Sequence, residues 1–205
     1  YNGQSITYDE IGNPLTYRDG MSMTWKNGRQ LATLTNGDTS ISYGYDSGSV
    51  RTTKTVNGVK YTYAYLNGQL MYETRGDAKF YYSYDANGIL YNVRYTLTDG
   101  DTEYSYYYTH NSRGDIVGIY NGAGELKAHY EYDAWGNVIS ITDNNGNAIT
   151  SPNHIGNLNP FRYRGYYYDT ESGFYYLMSR YYDPVTHRFI NADGYFQSGG
   201  NILDA

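Results

Sequence analysis

The residues with the type and spacing to do chemistry are mostly carboxylates. Asp9, Asp46, Asp85 and Asp133 each follow a tyrosine (Tyr8, Tyr45, Tyr84 and Tyr132) and precede a glycine (Gly12, Gly48, Gly88 and Gly136) by two or three positions. An aspartate placed so accepts hydrogen bonds from the backbone of its own turn, and the glycine relieves the backbone beyond it. That chemistry is structural. Asp143, Asn145 and Asn147 imitate the first three ligand positions of a calcium loop, but Ala148 stands in place of the obligatory glycine and His154 in place of the bidentate glutamate. The stretch reads as a surface loop, and no metal is expected. The four histidines, His110, His129, His154 and His187, show no paired ligand spacing. There is no cysteine and no Gly-x-Ser-x-Gly elbow. Gly122-Ala123-Gly124 begins a dinucleotide-like string, but Lys127 occupies the place of its third glycine. Neither catalysis nor a cofactor is expected.

The elements that position these aspartates repeat. Tyr8, Trp25, Tyr45, Tyr65, Tyr84, Tyr108 and Tyr132 recur at spacings of 17, 20, 20, 19, 24 and 24 residues. Such a period belongs to arrays of supersecondary units. The chain of 205 residues has 30 Tyr against 5 Phe and 2 Trp, and tyrosine suits a half-buried sheet because its ring packs while its hydroxyl stays wet. Tyr61, Tyr63 and Tyr65 alternate with Thr62, Ala64 and Leu66, and Tyr104, Tyr106 and Tyr108 repeat the pattern, as strands with one buried face require. Asn-Gly and Asp-Gly pairs, among them Asn27-Gly28, Asn57-Gly58 and Asn67-Gly68, supply the positive φ angles of tight hairpins. The expectation is an all-β, curved antiparallel meander of hairpins over residues 1–142, with very little helix.

From Asp143 to Pro152 the chain is rich in Asn and Gly, and residues 143–156 read as a loop or linker. The texture then becomes dense: Asn159-Pro160-Phe161-Arg162-Tyr163-Arg164-Gly165, Tyr168-Asp169, Glu171, Gly173, Tyr175-Tyr176-Leu177, Ser179-Arg180-Tyr181-Tyr182-Asp183-Pro184, Arg188-Phe189 and Asn191-Ala192-Asp193. The aromatic-Asp-Gly units resemble YD repeats of the Rhs superfamily. The dense run resembles the Rhs repeat-associated core segment, placed here at residues 157–205. His187 departs from the family pattern, which commonly has glycine before Arg-Phe.

The resemblance implies a spiral β-sheet wrapped into a hollow shell and closed by the core segment, in a secreted or cell-surface bacterial protein. It implies that this chain is the C-terminal part of a longer polypeptide whose partners are the remainder of that polypeptide and a C-terminal toxin or effector. Some family members cut themselves after the core by paired aspartates, two close carboxylates sharing a proton and activating water. Asp193 is the position that corresponds best, with Asp183 next. The alternative is that each opens a turn, Asp183 before Pro184 and Asp193 before Gly194.

Arg162, Arg164, Arg180 and Arg188 stand beside Tyr163, Tyr168, Tyr181 and Tyr182, and stacked Arg-Tyr pairs with Asp169 or Glu171 as ion partners would rigidify an internal plug. An exposed arginine-aromatic patch for a partner is the rival reading. The same choice applies to the whole chain. It is an encapsulating wall and plug, or a module whose open Tyr-rich face binds carbohydrate or a cell-surface protein. A net charge of −6 and the lack of any Lys/Arg block argue against nucleic acid, and no apolar run is long enough to span a bilayer. The two free edges of an open sheet predict pairing or dimerisation of the isolated chain.

Overall fold

The computed structural model describes residues 3, 5–98, 100 and 102–191. Twelve strands form one antiparallel sheet in strict sequence order. They are β1 (Ser22–Lys26), β2 (Gln30–Asn36), β3 (Thr39–Tyr45), β4 (Arg51–Val56), β5 (Val59–Leu66), β6 (Gln69–Arg75), β7 (Ala78–Tyr84), β8 (Leu90–Thr96), β9 (Tyr104–His110), β10 (Ile116–Asn121), β11 (Leu126–Tyr132) and β12 (Val138–Thr142). Strands β1 and β12 do not pair with each other, so the sheet is an open meander. A second antiparallel sheet holds β13 (Tyr167–Asp169), β14 (Phe174–Tyr176), β15 (Tyr181–Asp183) and β16 (Arg188–Phe189).

Odd-numbered strands follow the period of two. Along β5, Tyr63 is buried and Tyr61 and Tyr65 are half-buried, while Ala64 and Leu66 are exposed. Even-numbered strands do not. The register of each odd–even hairpin slips by one residue. In β3/β4, Gly44 opposes Thr53 but Tyr45 opposes Arg51, leaving Thr52 as the extra residue. The same slip leaves Ala32 unpaired in β2, Met71 in β6, Tyr91 in β8, Val117 in β10 and Ile139 in β12. A bulge bends its strand and sharpens the local twist, so the bulge in every even-numbered strand, with a further one at Lys127 in β11, bends the wall. It also places residues three apart on one face. The inward pairs are Leu31/Leu34, Arg51/Lys54, Leu70/Glu73, Leu90/Val93 and Ile116/Ile119, all buried, with Val138/Ile141 half-buried.

Residues 143–156 fold back on the sheet. Asp143 caps a turn, Ala148 bridges to Thr142, and a single helical turn, α1 (Ile155–Leu158), packs on β11 and β12. Ile155 is buried, and the Tyr130 hydroxyl donates to the Gly156 carbonyl at 2.7 Å. The small sheet lies on the inner, Tyr-lined face of the large one, and the aromatic core runs continuously through both.

Candidate functional site

The repeat aspartates act on their own turns. Asp9 Oδ1 accepts from the backbone N–H of Ile11 and Asn13, Asp85 Oδ1 from Asn87 and Ile89, and Asp133 Oδ1 from Trp135 and Asn137. Asp46 Oδ1 accepts from Val50. Asn111 and Asn121 perform the same role without an aspartate. Gly12, Gly88 and Gly136 close these turns with φ between +81° and +93°.

The tyrosine of the repeat reaches across its hairpin neighbour. Tyr45 Oη donates to the Leu31 carbonyl at 3.0 Å, Tyr84 Oη to the Leu70 carbonyl at 3.0 Å and Tyr132 Oη to the Ile116 carbonyl at 2.7 Å. Trp25 does the same with its indole, Nε1 donating to the Pro14 carbonyl at 2.7 Å. In the three tyrosine cases the acceptor is the first residue of an inward pair, on the strand one before the tyrosine's own. Each tyrosine thus ties together two neighbouring strands while its ring stays on the inner face.

Against this face sits the core segment, and charge joins the two. Arg51 and Asp169 are both fully buried, the guanidinium donating to the carboxylate through both terminal nitrogens. Lys54 Nζ lies 2.9 Å from Asp169 Oδ1 and 2.9 Å from Glu171 Oε2. Arg18 donates to Asp183 through Nε at 2.8 Å and Nη2 at 3.1 Å. The wall thus presents Arg18, Arg51 and Lys54, and the core segment answers with Asp169, Glu171 and Asp183. Burial alone would raise the Asp169 carboxyl, but Arg51 and Lys54 outweigh it and hold the group below the ordinary carboxylate value. Five tyrosine rings, Tyr43, Tyr63, Tyr167, Tyr176 and Tyr181, surround the Arg51 guanidinium at 4.2–5.9 Å, a cage that favours the cation from every side. Glu73 is a second node, accepting from Tyr82 Oη at 2.8 Å, Tyr167 Oη at 2.5 Å and Arg75 Nε at 2.8 Å.

These contacts correct one expectation. The ion partners of Asp169 and Glu171 are wall residues 115–118 positions away, and not the arginines of the core segment. The core arginines do stack on rings: Arg162 over Tyr168 at 4.6 Å, Arg164 over Tyr163 at 5.5 Å and Arg180 over Phe189 at 3.8 Å. Arg188 is exposed on β16. Tyr181 is buried, with its hydroxyl 2.9 Å from that of Tyr45, and Tyr182 Oη donates to the Trp135 carbonyl at 3.0 Å.

Asp183 does two jobs. It binds Arg18, and it accepts from Val185 N at 2.9 Å to shape the turn at Pro184. Asp193, the other candidate for self-cleavage, lies outside the described residues. His187 has φ +60°, the left-handed region in which glycine is the least strained residue. Its ring stacks 4.2 Å from that of Trp135, a contact glycine could not make. At Gly136 a side chain is excluded outright, since a Cβ there would fall 2.6 Å from the Tyr163 ring.

Arg18, Arg51, Lys54 and Glu73 were missed by sequence reasoning. Their signal was present but indirect: Arg51/Lys54 and Leu70/Glu73 occupy the slots that hold Leu31/Leu34 and Leu90/Val93 elsewhere. A charge at a slot otherwise apolar announces a buried partner. Reading that slot requires knowing where the bulges fall.

The sequence model described as RHS Repeat matches residues 110–148, the stretch from the Asn111 turn through β12 to the Asp143 turn. The tRNA3(Ser)-specific nuclease WapA of Bacillus spizizenii is 36% identical over 211 residues, and the tRNA nuclease WapA of Bacillus subtilis is 35% identical over 218. Each alignment takes in 99% of this chain and 8% of the relative, so the chain spans about a twelfth of the length of these proteins. The crystal structure of TcdB2-TccC3 without hypervariable C-terminal region superposes with a TM-score of 0.70 at 18% identity, over 91% of this chain and 9% of that one. At that identity the likeness is one of fold.

Proposed function

The chain belongs to the Rhs/YD-repeat superfamily, and on that premise we propose that it is a stretch of shell wall together with the segment that plugs it, serving to sequester a C-terminal effector. One observation carries this reading. The Tyr-rich inner face is occupied by residues of the same chain, tied down by three buried charge pairings and an unbroken aromatic core. A face built to receive a foreign ligand would be expected to remain open. The nuclease activity in the relatives' names belongs, in this reading, to a part of those proteins outside the region aligned here. The paired-aspartate reaction is likewise assigned no part among the described residues, since Asp183 is spent on Arg18. The family resemblance supports placement outside the cell or at its surface. Among the described residues no helix is long and apolar enough to cross a membrane.

The test is protease accessibility of the sequence that follows this chain in its parent polypeptide. Sequestration predicts that it resists digestion until the wall is opened, and that Asp169→Asn exposes it. Equal digestion in both proteins would refute the reading.

A second reading, recognition of carbohydrate or a surface protein, draws on the outer face. Tyr81 and Tyr107 keep 37% and 44% of their surface exposed there, with the Tyr72 ring 4.9 Å from that of Tyr81. A glycan screen on wild type and Tyr81→Ala separates the two readings, because sequestration predicts no glycan signal that depends on Tyr81.

A further inference from the structure

After β12 the chain turns back, and α1 carries it into the core segment, so a single helical turn joins wall to plug. That turn is held from several sides. Ile155 is buried, the Gly156 carbonyl accepts from Tyr130 Oη at 2.7 Å, and the Leu158 carbonyl accepts from Arg75 Nη1 at 2.6 Å. The fit is close: a Cβ on Gly156 would fall 3.0 Å from the side chain of Ala128 on β11 and 3.0 Å from that of Ile141 on β12. The N-terminal end of the turn depends on a less usual group. His154 is the N-cap, and its Nδ1 accepts from the Gly156 N–H at 3.1 Å. An imidazole can accept there only while Nδ1 carries no proton, which places the ring's one N–H on Nε2. The common caps serine and asparagine carry no such condition.

We propose that this junction is an acid-sensitive latch: protonation of His154 at Nδ1 sets two donors against each other, breaks the cap on Gly156 and lets α1 lift from β11 and β12. The surroundings do not offer the imidazolium a substitute partner. Asp143, in the turn after β12, is the carboxylate that acts on the ring, and it already accepts from Asn145 N, Asn147 N and Asn147 Nδ2. Lys127 on β11 opposes a second positive charge, and is itself paired with Glu125 at 2.8 Å. Strand β12 and α1 carry no charged residue. Beneath α1, β11 presents the buried Ala128 and Tyr130, while His129 and Glu131 alternate to its other face. Burial, ahead of either charge, holds the His154 imidazole below its ordinary value. The contribution of the cap is therefore present above about 6.5, the open-state value, and is lost as pH falls from there through the depressed one. Asp169 stays ionised over that range, so the loosening is local to the junction. The inference does not depend on what the wall encloses.

Amide exchange of the full chain, expressed at each pH as protection relative to an unstructured backbone, tests the latch at Gly156, Leu158 and Asn159, whose N–H groups bond only within this turn. From pH 8 to pH 5 their protection should fall at least about fivefold, the size of one lost cap, toward a ceiling of about thirtyfold set by an open-state value near 6.5. His154→Asn keeps an acceptor that does not titrate, and should hold its protection throughout. His154→Ala should be weakly protected at both ends. Wild-type protection that does not change, His154→Asn falling in step with the wild type, or His154→Ala matching the wild type at pH 8 would each overturn the proposal. A long-range proton–nitrogen correlation spectrum at pH 8 adds a check on the ring itself: the latch requires the hydrogen on Nε2, and a hydrogen on Nδ1 also overturns it.

Discussion

Arg51 and Asp169, 118 residues apart in sequence, meet with both side chains fully buried. Neither charge is tolerable there without the other, so wall and plug cannot fold independently without exposing or neutralising one of them. Replacing Asp169 by Asn leaves a guanidinium uncompensated in the core and should cost about 3–5 kcal/mol. Glu125→Gln, which breaks an exposed pair with Lys127, should change stability little. Urea denaturation of both variants checks the contrast.

The tyrosine stitches make a graded prediction. Tyr45→Phe, Tyr84→Phe and Tyr132→Phe each remove a hydroxyl from a backbone carbonyl without disturbing ring packing. Tyr84→Phe and Tyr132→Phe should each cost about 0.5–1.5 kcal/mol, and Tyr45→Phe more, because it also takes a partner from the buried Tyr181 hydroxyl. Tyr84→Phe and Tyr132→Phe serve separate hairpins, Leu70 and Ile116, so their costs should add. A double variant much worse than the sum would mean that the stitches act as one network.

Stability should fall at both ends of the pH scale, for opposite reasons. The folded-state pKa of Asp169 lies below its unfolded value. Its contribution is therefore fully present above about 3.9, the ordinary value, and is lost as pH falls through the depressed one. Burial pushes Tyr17, Tyr61 and Tyr130 up to about 12. Those contributions hold below about 10 and are lost as pH rises through 12. Tyrosinate absorbance during an alkaline titration should show a second, cooperative step that coincides with loss of the far-ultraviolet sheet signal.

The bulges make a prediction about register. Thr52 is the extra residue that puts Arg51 and Lys54 on one face. Deleting it leaves Arg51 and Lys54 two apart, which strict alternation keeps on one face, whereas inserting one more residue beside it sends one of the two cations outward and strands Asp169. The insertion should destabilise the chain at least as much as Asp169→Asn, whereas the deletion, which keeps both cations facing Asp169, and Thr52→Ser, which keeps the residue count, should each cost less. Thermal melts decide it.

Much of the wall was legible in the sequence, and the reasons are local. Tyr61, Tyr63 and Tyr65 announce their face because nothing interrupts the alternation of β5, and Asp85 and Gly88 announce a turn because their side-chain and backbone chemistry acts within four residues. The even strands were not legible in the same way. Leu31 and Leu34, or Arg51 and Lys54, defy a period of two until a bulge is placed between them, and the bulge arises from pairing with the neighbouring strand. The plug's partners were hidden for a related reason. Asp169 could be seen to need a cation, but nearby Arg162 and Arg164 were the obvious choices on sequence distance. Only the fold shows that those arginines face tyrosine rings while Arg51 arrives from β4.

The most direct test of wall and plug as one folded unit is hydrogen exchange across Tyr167–Tyr176, compared with β4 and β6. In one folded unit these amides are protected as strongly as the wall strands in the wild type, and Asp169→Asn lowers protection in both together. Fast exchange of Tyr167–Tyr176 beside a fully protected wall would contradict it, since the segment would then rest on the inner face without being part of its core.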